Sequence, residues 1–367
     1  MNAFKELGLE DHLVQAITDL GFETPSEVQE KTIPLLLDED RDLVALAQTG
    51  TGKTAAFGFP MLQKIDVNSR TTQGLILLTT RELCLQITNE MKLYGKHCKG
   101  LNVTAIYGGA SITDQANQVK RGAQIIVATP GRMKDMISRR LVDISKIEYA
   151  VLDEADEMLD LGFKDDLEFI LGHAPASRRT LMFSATVPKS IATLAKSYQK
   201  NAVRVSTVAE KSQHTDIQYR ALSVSARDME NAIINVLRFY EAPNALVFAN
   251  TRVMVNRLTT RLSNRGFSVV SLSGELSQAE RSHALQAMRD GRARICVATD
   301  VAARGIDLPN LDLVVHAELP TNYEILMHRS GRTGRAGRKG ISALIVPPSA
   351  RRKAERILQG AKVTAEW

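Results

Sequence analysis

Short apolar runs alternate with amphipathic helical patterns along the whole 367-residue chain. This alternation predicts parallel sheets whose strands are joined by crossover helices. Helical patterns cover residues 81–98 and 112–121, and a basic one covers residues 350–358. The predicted strands lie at residues 43–46, 74–78, 102–107, 124–128, 150–152, 179–183, 216–222, 244–248, 268–271, 293–298, 313–317 and 342–346.

A polar segment at residues 206–215 interrupts the alternation and has the composition of a linker. At roughly 150 residues per domain, a chain of this length accommodates two domains. We therefore predict an α/β protein with two domains, each a mostly parallel sheet flanked by helices. The predicted parts are an N-terminal domain at 1–208, a flexible linker at 209–215 and a C-terminal domain at 216–367.

The composition argues against several classes of protein. Hydrophobic residues make up 44% of the chain and charged residues 24%, as in ordinary globular proteins. No apolar run approaches the roughly 20 residues of a membrane span, and the first residues lack the pattern of a signal peptide. The three cysteines are scattered and form no CxxC pair, so neither a disulfide framework nor a zinc site is expected. We expect a cytoplasmic protein that does not associate with membranes.

The net charge of +6 is distributed unevenly. Up to Val208 there are 24 basic against 26 acidic residues, and beyond it there are 23 against 15. The second part is therefore the basic one, which suits a polyanionic partner. A basic, solubilising surface would explain the same balance.

Residues 47–54, Ala-Gln-Thr-Gly-Thr-Gly-Lys-Thr, approximate a phosphate-binding loop, with Ala47 where the strict pattern has glycine. A predicted strand precedes the loop and a predicted helix follows it, which is the context that such a loop requires. Its backbone N–H groups and the helix N-terminus would surround phosphate oxygens. Lys53 would reach the β- and γ-phosphates, and the Thr54 hydroxyl would hold Mg²⁺. The alternative is an ordinary glycine-rich turn.

Asp153 and Glu154 directly follow another apolar strand. The carboxyl ends of parallel strands face the ligand crevice of such a sheet. Asp153 would hold Mg²⁺ through water, and Glu154 would orient or deprotonate the attacking water. An acidic surface turn is the alternative, but a phosphate loop about a hundred residues upstream favours an NTPase site.

Upstream of the loop, Pro25 fixes a turn, Ser26 is a candidate helix cap, and Gln29 carries an amide that matches the N6 and N7 edge of adenine. A single glutamine on a helix is more often simply solvated. In the second half, Arg329, Arg332 and Arg335 alternate with glycines. Arginines spaced in this way bind phosphate bidentately, although a disordered basic segment has the same composition.

Taken in order, these motifs resemble those of the DEAD-box ATP-dependent RNA helicases of bacteria, and the resemblance covers nearly the whole chain. Asp153-Glu154-Ala155-Asp156 is the tetrad that names the family, and Ala47 is part of the family's own form of the phosphate loop. The other matching segments are Phe4, Phe22 with Pro25-Ser26 and Gln29, residues 81–83, 108–109, 129–132, 184–186, 247–251, 278 with 281, 298–307 and 328–335.

The resemblance implies two RecA-like domains, ATP and Mg²⁺ as cofactors, and a role for each matching residue. The implied catalytic residues are Lys53, Asp153, Glu154, Arg332 and Arg335, the two arginines acting as arginine fingers. The implied ATP-binding residues are Phe22, Gln29, Thr49, Gly50, Thr51, Gly52, Lys53, Thr54 and Asp307, with Thr54 and Asp153 holding Mg²⁺. Residues implied to couple ATP to RNA are Asp156, Ser184, Thr186 and His328. The implied RNA-binding residues are Arg81, Gly109, Thr129, Arg132, Thr251, Gly274, Gln278, Arg281, Thr299 and Arg304.

The implied activity is RNA-dependent ATP hydrolysis, with short duplexes separated by closure of a cleft and bending of one strand. RNA contacts of this kind go mainly to phosphates and 2′-hydroxyls, so little sequence specificity is expected. An ATP-gated RNA clamp without productive unwinding is the alternative. A DNA helicase is a second alternative, but the adenine motif and the Asp-Glu-Ala-Asp tetrad argue against it. The resemblance also suggests ribosomal or RNA-degradation assemblies as partners, a monomeric core, and a further RNA-binding tail in the natural protein.

The chain departs from the family pattern at Thr79, where members usually have proline before the Thr-Arg-Glu-Leu segment, and at Cys84, where they usually have alanine. Loss of the proline frees a backbone N–H and relaxes the turn before Arg81. Cys84 is close in size to alanine. We expect an intact RNA groove with altered affinity.

Overall fold

The computed structural model describes residues 2–38, 40–47, 50–184, 189–207, 216–274, 276–303, 308, 311–334 and 339–367, without the side chains of Lys189, Ser190 and Gln278. The chain forms two compact units, Met1–Lys211 and Ser212–Trp367. The predicted linker at 209–215 lies outside the described residues, so the exact domain boundaries stay predictions. Within the described ranges, every helix is too short or too polar to cross a membrane.

The first unit is built from seven strands and ten helices in its described part. Its strands are β1 (Leu43–Leu46), β2 (Gly74–Leu77), β3 (Val103–Ile106), β4 (Ile125–Ala128), β5 (Tyr149–Asp153), β6 (Arg179–Ser184) and β7 (Val203–Ser206). Its helices are α1 (Ala3–Glu6), α2 (Asp11–Asp19), α3 (Glu27–Asp38), α4 (Lys53–Lys64), α5 (Arg81–Tyr94), α6 (Ile112–Lys120), α7 (Pro130–Ser138), α8 (Ala155–Asp160), α9 (Lys164–His173) and α10 (Lys189–Tyr198).

All strand pairs of this sheet are parallel, in the order β3-β4-β2-β5-β6-β1-β7. Alternate residues of a strand pack on opposite faces. Leu43 and Ala45 belong to one apolar cluster, whereas Val44 belongs to the other. Both faces are therefore covered by helices, which is why the strands read as continuous apolar runs rather than as alternating ones.

The second unit repeats this plan with seven strands and six α-helices in its described part. Its strands are β8 (Ile217–Ser223), β9 (Ala245–Phe248), β10 (Val269–Leu272), β11 (Ile295–Ala298), β12 (Leu313–His316), β13 (Gly340–Val346) and β14 (Ala365–Glu366). Its helices are α11 (Met229–Tyr240), α12 (Arg252–Ser263), α13 (Gln278–Arg289), α14 (Asp300–Ala303), α15 (Tyr323–Ser330) and α16 (Arg351–Gly360), with 3₁₀ turns at Ala226–Asp228 and Pro348–Ala350.

The second sheet is also parallel, in the order β10-β11-β9-β12-β13-β8-β14. Counted from the first strand of each unit, this order is the same as in the first sheet. Caps recur as well, because Thr80 and Thr251 each follow the second strand of their unit and accept a hydrogen bond from the backbone of the helix that they begin. The two units therefore share a topology without a visible sequence repeat.

The predicted fold class is confirmed, and the twelve predicted strands match observed ones with small differences at their ends. Two strands were missed. Strand β7 ends at Ser206, the first residue of the polar segment at 206–215, and β14 contains only two residues. The helix predicted at 81–98 ends at Tyr94, where Gly95 caps it.

Candidate active site

The phosphate loop leaves β1 and enters α4 through two glycines in the left-handed region, Gly50 at φ 81° and Gly52 at φ 87°. Such angles favour glycine because a Cβ atom would be strained there. At Gly52 the space is also closed, since a Cβ atom would lie 2.3 Å from the Gln29 Nε2 atom. Gln48 and Thr49 lie outside the described residues.

Lys53 is the first residue of α4, and only 7% of its side chain is exposed. Its Nζ atom lies 3.6 Å from the Asp153 Oδ1 atom at the end of β5. Burial alone would lower the pKa of Lys53, but the charges of Asp153, Glu154 and Asp156 outweigh burial and leave the pKa raised. The lysine is therefore a permanent, poorly hydrated cation, which is suited to bind phosphate.

Glu154 follows β5 and lies in the left-handed region at φ 53°, before α8 begins. A bulky residue in this conformation is uncommon and marks a site where the fold stores strain. Its Oε2 atom accepts a hydrogen bond of 2.9 Å from the Thr79 hydroxyl. The carboxylate is therefore held at the same sheet edge as Lys53.

The oxygen atoms of Asp153 and Thr54 are suited to Mg²⁺. Asp153 is 4% exposed, and its Oδ1 atom accepts the backbone N–H of Glu154 at 2.9 Å. Thr54 lies in the first turn of α4. Mg²⁺ takes few protein oxygens and completes its shell with water and substrate phosphates. Within the described residues no group of three or more His, Cys, Asp or Glu side chains could hold a metal.

Gln29 lies on α3 and is buried against the loop. Its Oε1 atom accepts the backbone N–H of Ser26 at 3.0 Å, and its Nε2 atom donates to the Gly52 carbonyl at 3.1 Å. The predicted cap is therefore not observed, because the buried Ser26 hydroxyl makes no hydrogen bond within the described part of the chain. Instead, the Gln29 side chain accepts the backbone N–H of Ser26. Phe22 is 38% exposed and packs edge-to-face on Tyr94. The resemblance implied that Phe22 and Gln29 belong to the ATP site, but the direct contact between Gln29 and Gly52 was not predicted.

The predicted RNA-binding residues of the first unit follow β2, β3 and β4. The Arg81 guanidinium lies over the Tyr107 ring, and a Cβ atom at Gly109 would come within 2.7 Å of its Nη2 atom. Arg132 Nη1 donates to the Ala110 carbonyl at 3.0 Å, and Thr129 is the N-cap of α7. Because neighbouring parallel strands end at one edge, Arg81, Gly109 and Arg132 form one basic, glycine-containing surface.

In the second unit, polar side chains again follow the strands. Arg281 on α13 donates to the Ala302 carbonyl at 2.8 Å, and the Thr299 hydroxyl accepts the Ala302 N–H at 3.4 Å. Thr251 and Gly274 are exposed where β9 and β10 end. This places four of the predicted RNA-binding residues at the carboxyl edge of the second sheet.

Some of the remaining predicted residues have a described position, and others lie outside the described residues. Ser184 ends β6 and is fully buried, Asp156 accepts the Glu157 N–H at 3.1 Å, and His328 lies on α15 just before Arg332. Thr186, Arg304, Asp307 and Arg335 lie outside the described residues, as does the side chain of Gln278.

One buried network was not predicted. Arg329 is 2% exposed and donates to both carboxylate oxygens of Asp300 at 2.6 Å. It also donates to Asn250 Oδ1 at 2.7 Å and to the Glu318 carbonyl at 2.9 Å. The repeated arginine spacing marked the segment as functional, but nothing in the pattern distinguished the buried arginine from its neighbours.

Two family models match the chain: DEAD/DEAH box helicase over residues 26–194 and helicase conserved C-terminal domain over residues 228–337. The DEAD-box ATP-dependent RNA helicase CshA of Bacillus cereus is 40% identical over 348 residues, which cover 95% of this chain and 66% of CshA. The ATP-dependent RNA helicase DeaD of Mycobacterium tuberculosis is 43% identical over 345 residues, 94% of this chain and 61% of DeaD. The chain thus spans slightly less than two thirds of the length of these relatives.

Among solved structures, S. cerevisiae Dbp5 bound to RNA and ADP BeF3 is 31% identical and matches with a TM-score of 0.88, over 98% of this chain and 94% of Dbp5. The match extends across both units, as do the two family models. On its motifs, its two parallel sheets and these similarities, the chain belongs to the family of DEAD-box helicases.

Proposed function

We propose that this protein is an RNA-stimulated ATPase that separates short RNA duplexes. The observation that carries the proposal is the 3.6 Å contact between Lys53 and Asp153, with Glu154 directly beside them at the carboxyl edge of the first sheet. Phosphoryl transfer requires a phosphate-binding cation, a metal-holding carboxylate and a group that handles the attacking water, and this edge supplies all three.

In the proposed reaction, the loop N–H groups and Lys53 bind the ATP phosphates, which replace Asp153 as partners of the lysine. Thr54 and Asp153 would hold Mg²⁺, Asp153 partly through water, and the ion would neutralise phosphate charge. Glu154 accepts the proton of the water that attacks the γ-phosphate. Gln29 and Phe22 recognise adenine, and Asp307 contacts the ribose region.

We propose that RNA acts through the second unit as well. RNA bound by the surface at Arg81, Gly109 and Arg132 and by the residues around Thr251 and Arg281 would draw the two units together once ATP is present. Arg332 and Arg335 would then stabilise charge on the γ-phosphate, and one RNA strand would bend away from its partner. The RNA bound to Dbp5 and the names of the bacterial relatives support an RNA partner. Cytoplasmic location, a monomeric core, and ribosomal or RNA-degradation assemblies remain part of the proposal.

The direct test is ATP hydrolysis measured with and without saturating single-stranded RNA. We expect RNA to stimulate hydrolysis. A rate that RNA leaves unchanged, in a protein whose folding is verified by circular dichroism, would contradict the proposal. Glu154→Gln should retain ATP and RNA together while hydrolysis stops, since the amide cannot take the proton. Rapid release of both ligands by this variant would remove Glu154 from its role.

An RNA clamp uses the same residues, so two measurements on one preparation distinguish it. Displacement of a labelled strand from a short duplex reports unwinding, and retention on RNA in the presence of a non-hydrolysable ATP analogue reports clamping. Retention without displacement favours the clamp.

A further inference from the structure

Thr79, which stands where the family usually has proline, lies beside the catalytic edge rather than only in the turn before Arg81. Strand β2 pairs with β5, and Leu77 is opposite Leu152. Two residues beyond each of these positions, the same register brings Thr79 opposite Glu154. The Thr79 hydroxyl donates to Glu154 Oε2 at 2.9 Å, and Thr79 is 5% exposed.

The contact joins a buried hydroxyl to a charged group, which makes it a strong type of hydrogen bond. A glutamate has several rotamers, and fixing one of them costs conformational entropy. The left-handed backbone conformation of Glu154 fixes the direction of its Cα–Cβ bond. The hydrogen bond from the Thr79 hydroxyl fixes the position of the Oε2 atom. Proline has no donor and could not make this contact.

We propose that Thr79 is a positioning residue that orients the Glu154 carboxylate toward the water attacking ATP. This inference rests on the proposed function, in which Glu154 accepts the proton of that water. Thr79 touches neither ATP nor water in this proposal and acts only through Glu154. Preorganisation of this kind raises turnover and leaves ground-state binding unchanged.

The test compares Thr79→Val, which keeps the shape and removes the donor, with Thr79→Ser, which keeps the donor. Hydrolysis is measured over a range of ATP concentrations at saturating RNA. We expect Thr79→Val to lower kcat roughly tenfold, as expected for the loss of one hydrogen bond to a charged group, with KM for ATP unchanged. Thr79→Ser should stay within about twofold of the wild-type kcat.

Thr88→Val is the matched control. Thr88 is 3% exposed in the same unit, and its hydroxyl donates to the Cys84 carbonyl within α5, at 2.7 Å. The control should keep the wild-type kcat. If Thr79→Val does not fold, Thr79→Ala compared with Thr79→Ser decides by the same criteria.

Provided that RNA stimulates hydrolysis by the wild type, four outcomes would overturn the inference and leave the proposed function intact. They are an unchanged kcat in Thr79→Val, a rise in KM alone, an equal loss in Thr79→Ser, and an equal loss in Thr88→Val. If the wild type itself shows no RNA-stimulated hydrolysis, the proposed function fails first and the inference fails with it.

Discussion

The Arg329 guanidinium lies 2.6 Å from each carboxylate oxygen of Asp300, and Arg329 itself is 2% exposed. Its remaining hydrogen bonds reach Asn250 after β9 and Glu318 after β12, while Asp300 follows β11. Its guanidinium also lies 5.0 Å from the centre of the Phe248 ring. One buried side chain therefore ties together three strand ends of the second sheet.

Arg329→Met should destabilise the second unit by about 3 kcal/mol, because it removes the partner of Asp300, whose side chain is 27% exposed, and the donors to Asn250 and Glu318. Urea unfolding followed by the fluorescence of Trp367, the single tryptophan of the chain, reports on this unit. Arg352→Met, at an exposed arginine of α16, is the control and should change stability by less than about 0.5 kcal/mol. Equal unfolding midpoints for the two variants would contradict the structural role of Arg329.

Gly109→Ala should weaken RNA binding, because the new Cβ atom would lie 2.7 Å from Arg81 Nη2 and the backbone at φ 80° disfavours alanine. We expect a loss of roughly tenfold in affinity for single-stranded RNA, measured by fluorescence anisotropy at fixed salt. Gly108→Ala is the control, since its Cβ atom meets nothing within 4 Å. A loss of ATP affinity in Gly109→Ala, with RNA affinity retained, would argue against an RNA surface at this edge.

We expect His316 to make the stability of the second unit depend on pH. It is fully buried, its Nε2 atom is paired with the Ser342 hydroxyl at 2.9 Å, and burial together with the charge of Arg329 holds its pKa well below 6.5. Above pH 6.5 the imidazole is neutral in both folded and unfolded chains. Below that value only the unfolded chain takes up the proton, so stability falls by up to about 1.4 kcal/mol per pH unit.

The measurement for His316 is the free energy of unfolding at pH 7.5 and pH 5.5. His316→Gln should reduce the difference between the two values, even if it lowers stability at both. His283→Gln, at an exposed histidine of α13, should leave the difference as in the wild type. A wild-type difference in His316→Gln would assign the pH dependence to other groups.

The three cysteines should differ in reactivity with a thiol reagent. Burial raises the pKa of Cys84 and of Cys296 to about 12, and the Cys84 thiol also donates to the Val127 carbonyl. Cys98 is only partly buried, and its pKa is raised less far. Because the thiolate is the reactive form, we expect Cys98 to react first with Ellman's reagent and the other two to react only on unfolding. Rapid modification of all three in the native protein would contradict this order.

Strand positions were predictable because both faces of each sheet are buried, so the central strands read as apolar runs. The two strands that were missed lie at sheet edges, where β7 exposes two of its four residues and β14 is too short to form a pattern. Proximity of Lys53, Asp153 and Glu154 was predictable because parallel strands end at one edge. The Thr79–Glu154 hydrogen bond was not, since it depends on the register between β2 and β5. A buried Arg329 likewise contradicts the usual exposure of arginine.

The shared strand order of the two units has a consequence for stoichiometry. After β1 the first unit carries the glycines and Lys53 of the phosphate loop, whereas after β8, the equivalent strand, residues 224–228 contain no glycine and form a 3₁₀ turn at Ala226–Asp228. Among the described residues, the first strand of only one of the two sheets therefore leads into a phosphate loop, and we expect one nucleotide site per chain. Equilibrium titration with a fluorescent ATP analogue should saturate at one equivalent per chain, and saturation at two equivalents would contradict a site confined to the loop after β1.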